Sequence, residues 1–278
     1  MSQLPFVTPS NFTPASNILV PHPSPERWII LRDLEVLLAA SHSNTLPQFP
    51  PSLEFLAVQY LGQLGGAPIM TAAVKGDTQA PEGWTWVGLR SLYGALDDDQ
   101  FSLCGIAAQL LDWQMCNAFC GRCGAPPELD GKEHCARCQC CGLTVYPRIE
   151  PCVIVAVTRA PNEILLAHAG RLPPGMHSVL AGFVESGESL EQCVAREVFE
   201  ETGIRIGNPR YVASQSWPFP RALMIGFTAE YVSGSITIDP HELDGAAWFP
   251  FESLPALPSR VSIARYLIDY AQAQAVNR

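Results

Sequence analysis

The chain has 278 residues, 47% of them hydrophobic, and a formal net charge of −10. That length allows two modest domains with ample cores, and the acidic balance argues against broad adhesion to nucleic acid or anionic lipid. No apolar run approaches the ~18 residues of a membrane helix, and the opening MSQLPFVTPSNF has neither the basic start nor the apolar core of a secretory signal, so no membrane partner is expected.

Prolines at 5, 9, 14, 21, 23 and 25 predict an extended arm over residues 1–25. From about 26 to 100, apolar segments alternate with turn signals: Leu53 to Leu61, the Gly65–Gly66 turn, Ile69 to Val74, and Trp84 to Leu89. These predict short strands of a small β-rich domain, closed by a connecting helix over 101–115 and reaching residue 115. The glycines of LGQLGG lack the strand–turn–helix setting of a dinucleotide fingerprint and read as turn formers.

Seven of the ten cysteines fall between Cys116 and Cys141. Clustered cysteines without an export signal favour metal over disulfides, and a reducing cytoplasm as the compartment. Cys120–Cys123–Gly124 and Cys138–Cys141–Gly142 are two C-x-x-C-G units, which together offer the four soft ligands of a tetrahedral Zn2+ site. A zinc ribbon is therefore expected over 116–146, with Cys116, His134, Cys135 and Cys140 as spare ligands. Four thiolates leave no open coordination position, so the zinc would be structural.

Residues 147–278 predict a third region. Strands are expected at Cys152 to Val157, Ile164 to Ala167 (after a turn at Pro161–Asn162), Ser178 to Ala181, Tyr211 to Ser216, Leu223 to Val232 and Ala246 to Phe249. A helix over Val261 to Ala273 closes the chain. Between the third and fourth strands, Ser189 and Gln192 have the spacing of a capping box, and Gly203 stands where a helix end wants positive φ. On that helix Glu197, Glu200 and Glu201 fall within an arc of roughly 100°. Two unit charges about 5 Å apart at an effective dielectric of about 20 repel by roughly 3 kcal/mol. Such a stripe is either a solvated face or a ligand set for hard divalent cations, and spacing alone leaves both open.

Gly182, five residues, Glu188, seven residues, then Arg196-Glu197-Val198-Phe199-Glu200-Glu201-Thr202-Gly203-Ile204 resembles a complete Nudix box. Ser214-Gln215-Ser216-Trp217-Pro218-Phe219-Pro220-Arg221-Ala222 resembles the S-Q-P-W-P-F-P-x-S element of NADH pyrophosphatases, departing from it at Ser216 and Ala222. The resemblance implies an α+β chain: a Nudix α/β/α sandwich with a mixed sheet, preceded by a zinc ribbon and a small β-rich N-terminal domain. It implies hydrolysis of the diphosphate bond of NADH or NAD to nicotinamide mononucleotide and AMP, with NAD-capped RNA as a further substrate and a homodimer as the assembly. Mg2+ or Mn2+ would be held by Glu197, Glu200 and Glu201, completed by Glu242, with Arg196 orienting a carboxylate. Phe183 would stack on nicotinamide, and Tyr146, Gln215, Trp217, Ala222 and Ala264 would line the substrate. Two rival readings are a Nudix hydrolase of another nucleotide such as ADP-ribose and, further off, a non-catalytic zinc-ribbon binding module.

Overall fold

A computed structural model describes residues 4–15, 25–40, 45–48, 52–160 and 162–276. Prolines 21 and 23, expected in the arm, and Pro161, expected in a turn, lie outside the described residues. The chain divides into two compact units: Phe6–Ile149 together with Trp217–Arg221, and Glu150–Ser216 together with Leu4, Pro5 and the residues from Ala222 onward.

In the first unit, six strands form one sheet: β1 (Phe12–Pro14), β2 (Arg27–Arg32), β3 (Glu35–Ala39), β4 (Ala57–Leu64), β5 (Ala67–Ala73) and β6 (Trp84–Gly88), in the order β1-β4-β5-β2-β3-β6. Part of the expected extended arm is thus an edge strand, because Phe12 to Pro14 pairs with Gly62 to Leu64 of β4. Gly62 has φ 137°, and a Cβ there would meet the backbone of Thr13 and Pro14, so only glycine lets the two strands approach. Helix α1 (Asp98–Cys116) packs on β4, β5 and β2, and Asp97 caps it by accepting from the Gln100 N–H. Three two-residue strands, β7 (Glu128–Leu129), β8 (Ala136–Arg137) and β9 (Thr144–Val145), make a ribbon.

The second unit holds β10 (Glu150–Arg159), β11 (Glu163–His168), β12 (Leu180–Phe183), α2 (Leu190–Thr202), β13 (Arg205–Trp217), β14 (Ala222–Ser233), β15 (Gly245–Pro250) and α3 (Ile263–Val276). Its sheet runs β13-β14-β10-β11-β15, with β12 also on β10, and β10 and β14 are parallel while β10 is antiparallel to β11 and β12. Alternation along β10 sends Val153, Val155 and Val157 to the core under α2, and Ile154 and Ala156 to the core under α3. The result is the expected α/β/α sandwich. Val194 and Val198 of α2 are fully buried, each stabilising the fold by roughly 1.5–3 kcal/mol.

Candidate active site and metal centre

Residues between β11 and β13 build most of the site. The β12 register sets Gly182 opposite Val153 and Phe183 opposite Cys152. Helix α2 begins at a capping box: Ser189 Oγ accepts from the Gln192 N–H, and the Gln192 side chain accepts from the Ser189 N–H. It ends at Gly203, left-handed with φ 70°. The start and end of the helix fix its rotation over the sheet, and rotation decides what each carboxylate meets. At about 100° per residue, Glu200, Glu197 and Glu201 lie roughly 120°, 60° and 20° from the buried Val194. Exposure follows that order: the side chain is 58% exposed at Glu200 and 15% at Glu197, and the whole residue only 7% at Glu201.

Arg196 orders the acidic face. Its Nε and Nη2 grip the Glu188 carboxylate at 2.6 and 2.9 Å, Nη1 reaches Glu197 and Glu200 at 2.9 Å each, and Nη2 also donates to the Phe183 carbonyl at 3.0 Å. The Arg196 hydrogen bonds, aided by the Glu185 backbone N–H, hold the Glu188 carboxyl down at about 2. Glu188 enters the sequence reading only as a motif position; the structure makes it the bidentate partner of Arg196. Phe183, tied by its backbone, leaves its side chain exposed.

Burial pushes the Glu201 carboxyl up to about 7, with Glu197 and Glu242 adding repulsion and Arg171 opposing it. Burial likewise raises Glu197. Glu242 sits on an exposed turn docked to the end of α2, where the Asp239 N–H donates to the Glu201 carbonyl and the Glu242 N–H to the Asp239 carbonyl. Gly182 supplies the cradle: a Cβ there would collide with the Glu197 carboxylate. Crowded oxygen donors that resist ionisation, seated on a bare backbone, suit a hard divalent cation. Glu197 and Glu242 lie near enough to Glu201 to oppose its ionisation, while Glu200 is turned outward to Arg196.

The four expected cysteines come together. Sγ of Cys120 is 3.6 Å from that of Cys141, Cys123 is 3.4 Å from Cys138, and all four lie within 4.8 Å of one another. A tetrahedral ion at about 2.3 Å from each sulfur requires about 3.8 Å between sulfurs, so the cluster fits one. Its two halves share one hydrogen-bond scheme: Gly124 N–H to the Cys120 carbonyl and Gly142 N–H to the Cys138 carbonyl, both 2.9 Å, with each glycine at φ above 70°. Backbone N–H groups of Arg122 and Cys123 hold the Cys120 thiol down at about 6 and those of Cys141 and Cys140 lower Cys138, whereas Cys123 and Cys141, hydrogen-bonded to those two sulfurs, are raised. Among the described residues these are the only three or more ligand atoms so closely grouped; Cys116, His134, Cys135 and Cys140 stand outside.

The remaining expected residues separate by burial. Tyr146 is 58% exposed and donates its hydroxyl to Glu133 at 3.3 Å. Trp217 packs edge-on against Phe6 and Phe219, under the Arg90 guanidinium. Ala222 and Ala264 are buried. Gln215, expected at the substrate, is 2% exposed, and its amide is committed to backbone: Nε2 donates to the Val261 and Pro5 carbonyls, and Oε1 accepts from the Ile263 N–H at the start of α3. It braces the start of α3.

Residues 148–270 match the NUDIX domain, and residues 25–113 match the NADH pyrophosphatase-like rudimentary NUDIX domain. The NAD-capped RNA hydrolase NudC of Stutzerimonas stutzeri is 47% identical over 226 residues, covering 81% of each chain. This chain belongs to the NADH pyrophosphatase family of Nudix hydrolases. NudC of Deinococcus radiodurans extends the similarity to 98% of this chain and 96% of its own, at 40% identity. That of Pseudomonas aeruginosa is 46% identical over 217 residues, covering 78% of this chain and 77% of its own. As a Nudix hydrolase the chain depends on a divalent metal. No helix among the described residues is long and apolar enough to cross a membrane.

Proposed function

We propose that the chain hydrolyses the diphosphate bond of NADH and NAD, releasing the corresponding nicotinamide mononucleotide and AMP. The observation that carries this reading is end-to-end similarity to an NAD-capped RNA hydrolase in a chain whose Glu197 carboxylate seats on Gly182 and whose Glu201 is buried beneath it. The names of the relatives favour NAD-capped RNA as a second substrate, cut at the same bond. In this reading Glu197, Glu200, Glu201 and Glu242 hold Mg2+ or Mn2+, and the four cysteines hold Zn2+ in a closed structural site. The hard cations, when bound, offset charge on the phosphoryl oxygens and make water a better nucleophile. Glu200, Glu201 or Glu242 takes a proton from that water, each needing only to reach it in its ionised form. Arg196 keeps the carboxylates aligned through Glu188. The exposed Phe183 ring receives nicotinamide, with Tyr146 and Trp217 as further substrate contacts, while Gln215, buried like Ala222 and Ala264, holds the start of α3. The protein works as a homodimer in the cytoplasm, a compartment that suits cysteines which are all unpaired.

Incubation with NADH, NAD and ADP-ribose, with and without Mg2+, tests the reading. The mononucleotide and AMP should appear only with metal, and Phe183→Ala should impair NADH turnover more than ADP-ribose turnover. Preferred turnover of ADP-ribose by the unaltered chain would return it to the other Nudix reading.

A further inference from the structure

Resting on the reading just given, we propose that Arg171 binds the diphosphate of the substrate and marks where the scissile phosphoanhydride lies. Arg171 belongs to the connection between β11 and β12, which is tied down at both ends. Ala167 and Ser178 exchange two backbone hydrogen bonds of 2.8 Å, His168 Nδ1 contacts the Met176 carbonyl at 2.7 Å, and the His177 N–H donates to the Ala256 carbonyl at 2.8 Å. The next tie is to the acidic turn after β14. The Asp244 N–H donates to the His168 carbonyl at 2.9 Å, and a Cβ at Gly170 would stand 3.2 Å from the Asp244 carboxylate. Arg171 therefore rises from a fixed loop beside the turn that carries Glu242 and Asp244.

The side chain has no partner there. Arg171 is exposed, and among the described residues it makes no hydrogen bond or ion pair, although its neighbour Gly170 lies against the Asp244 carboxylate and its own charge acts on Glu201. The contrast with Arg196 is direct: that guanidinium spends its donors on three carboxylates and a carbonyl. Arg171 still makes its charge felt, opposing the effect of burial on both the Glu201 carboxyl and the Cys152 thiol. Cys152 faces Phe183 in the β10–β12 register, so one unspent guanidinium reaches the field of the carboxylates on one side and of the nicotinamide shelf on the other. In an NAD-type substrate the diphosphate stands one ribose away from the nicotinamide, so a diphosphate held at the carboxylates comes within reach of that guanidinium. A planar guanidinium with free donors suits two adjacent phosphate oxygens by bidentate bonding.

The test is calorimetric binding of two non-hydrolysable ligands, the methylene-bridged analogues of NAD and of ADP-ribose, in the presence of Mg2+. Arg171→Ala should weaken both alike, by roughly ten- to a hundredfold, and Arg171→Lys by less. Mn2+ affinity read by paramagnetic resonance should stay within about twofold of wild type, since the residue is not needed to gather the carboxylates. Wild-type affinity of Arg171→Ala for both analogues overturns the proposal. So does a fall in Mn2+ affinity that accounts for the loss, which would make Arg171 a positioning residue for the acids. Failure of the unaltered chain to bind the NAD analogue while binding the ADP-ribose analogue sinks the substrate reading alone, and the second ligand then decides Arg171. An unaltered chain that binds neither overturns both.

Discussion

The two units share one sheet topology. In the first, β2 and β3 form a hairpin, β2 runs parallel to β5, β4 lies beyond β5, β6 pairs with β3, and α1 follows β6. In the second, β10, β11, β13, β14, β15 and α3 repeat every one of these relations in the same chain order. They differ in the crossing after the hairpin: residues 40–56 in the first unit, residues 169–204 in the second. The longer crossing contains β12 and α2, and with them Arg171, Gly182, Phe183, Glu188, Arg196, Glu197, Glu200 and Glu201. The shorter one contains a single acidic residue, Glu54, and its Leu53 and Phe55 pack on Trp28 and its neighbours. A sheet of this pattern is thus a platform, and the chemistry comes with one inserted loop and helix.

If so, carboxylate substitutions should matter in one crossing and not in the other. Glu197→Gln removes a charge seated on Gly182 and should lower kcat/KM for NADH about a hundredfold, equivalent to roughly 3 kcal/mol. Glu54→Gln should leave the same quantity unchanged within about twofold. Steady-state kinetics on the two variants breaks the comparison if Glu54→Gln is the more damaging.

Much of the second unit was legible in the chain. The motif marked the crossing, the cap residues marked both ends of α2, and apolar runs bounded by turn signals marked its strands. The paired cysteines with following glycines marked the metal cluster, because a tight turn around an ion needs that spacing. The gradation among the glutamates could have been read too: Glu201 is seven positions after Val194 and three after Val198, on the buried face. In the first unit the ribbon, the connecting helix and strands β4, β5 and β6 were legible, but not the rest of its sheet. Strands β2 and β3 went unnamed, and β1 was expected as arm, because short apolar runs carry no sign of their partners and Pro14 argues locally against a strand. The common topology was hidden for the same reason.

A pH measurement sharpens the contrast in stability. A carboxyl whose proton affinity rises on folding leaves the folded state holding more protons between its ordinary and shifted values. Stability then falls as pH rises through that window. For Glu201 the window runs from 4.5 to about 7, and the effect is at most about 3 kcal/mol; Glu197 acts in the same direction. Glu188, shifted down, acts only below 4.5. Protein freed of Mg2+ and Mn2+ should therefore have a lower urea midpoint at pH 8 than at pH 5, and Glu201→Gln should flatten most of that slope. Added Mg2+ should restore stability at pH 8. Equal slopes in wild type and Glu201→Gln would remove Glu201 as the cause.

The smallest effect separates a residue that meets the substrate from one that braces the fold. Gln215 joins β13 to the first turn of α3 and to the Pro5 carbonyl, in a role that resembles a helix cap supplied from a distant strand. Gln215→Leu keeps the bulk but leaves the Ile263 N–H and the Val261 carbonyl without their partner, a loss of about 2 kcal/mol. For a unit of this size that lowers the melting temperature by about 4–8 °C. A bracing residue changes this without changing KM for NADH by more than about twofold, whereas a substrate contact does the reverse. Calorimetric melting and KM measured on the one variant therefore decide whether the amide faces the backbone or the ligand.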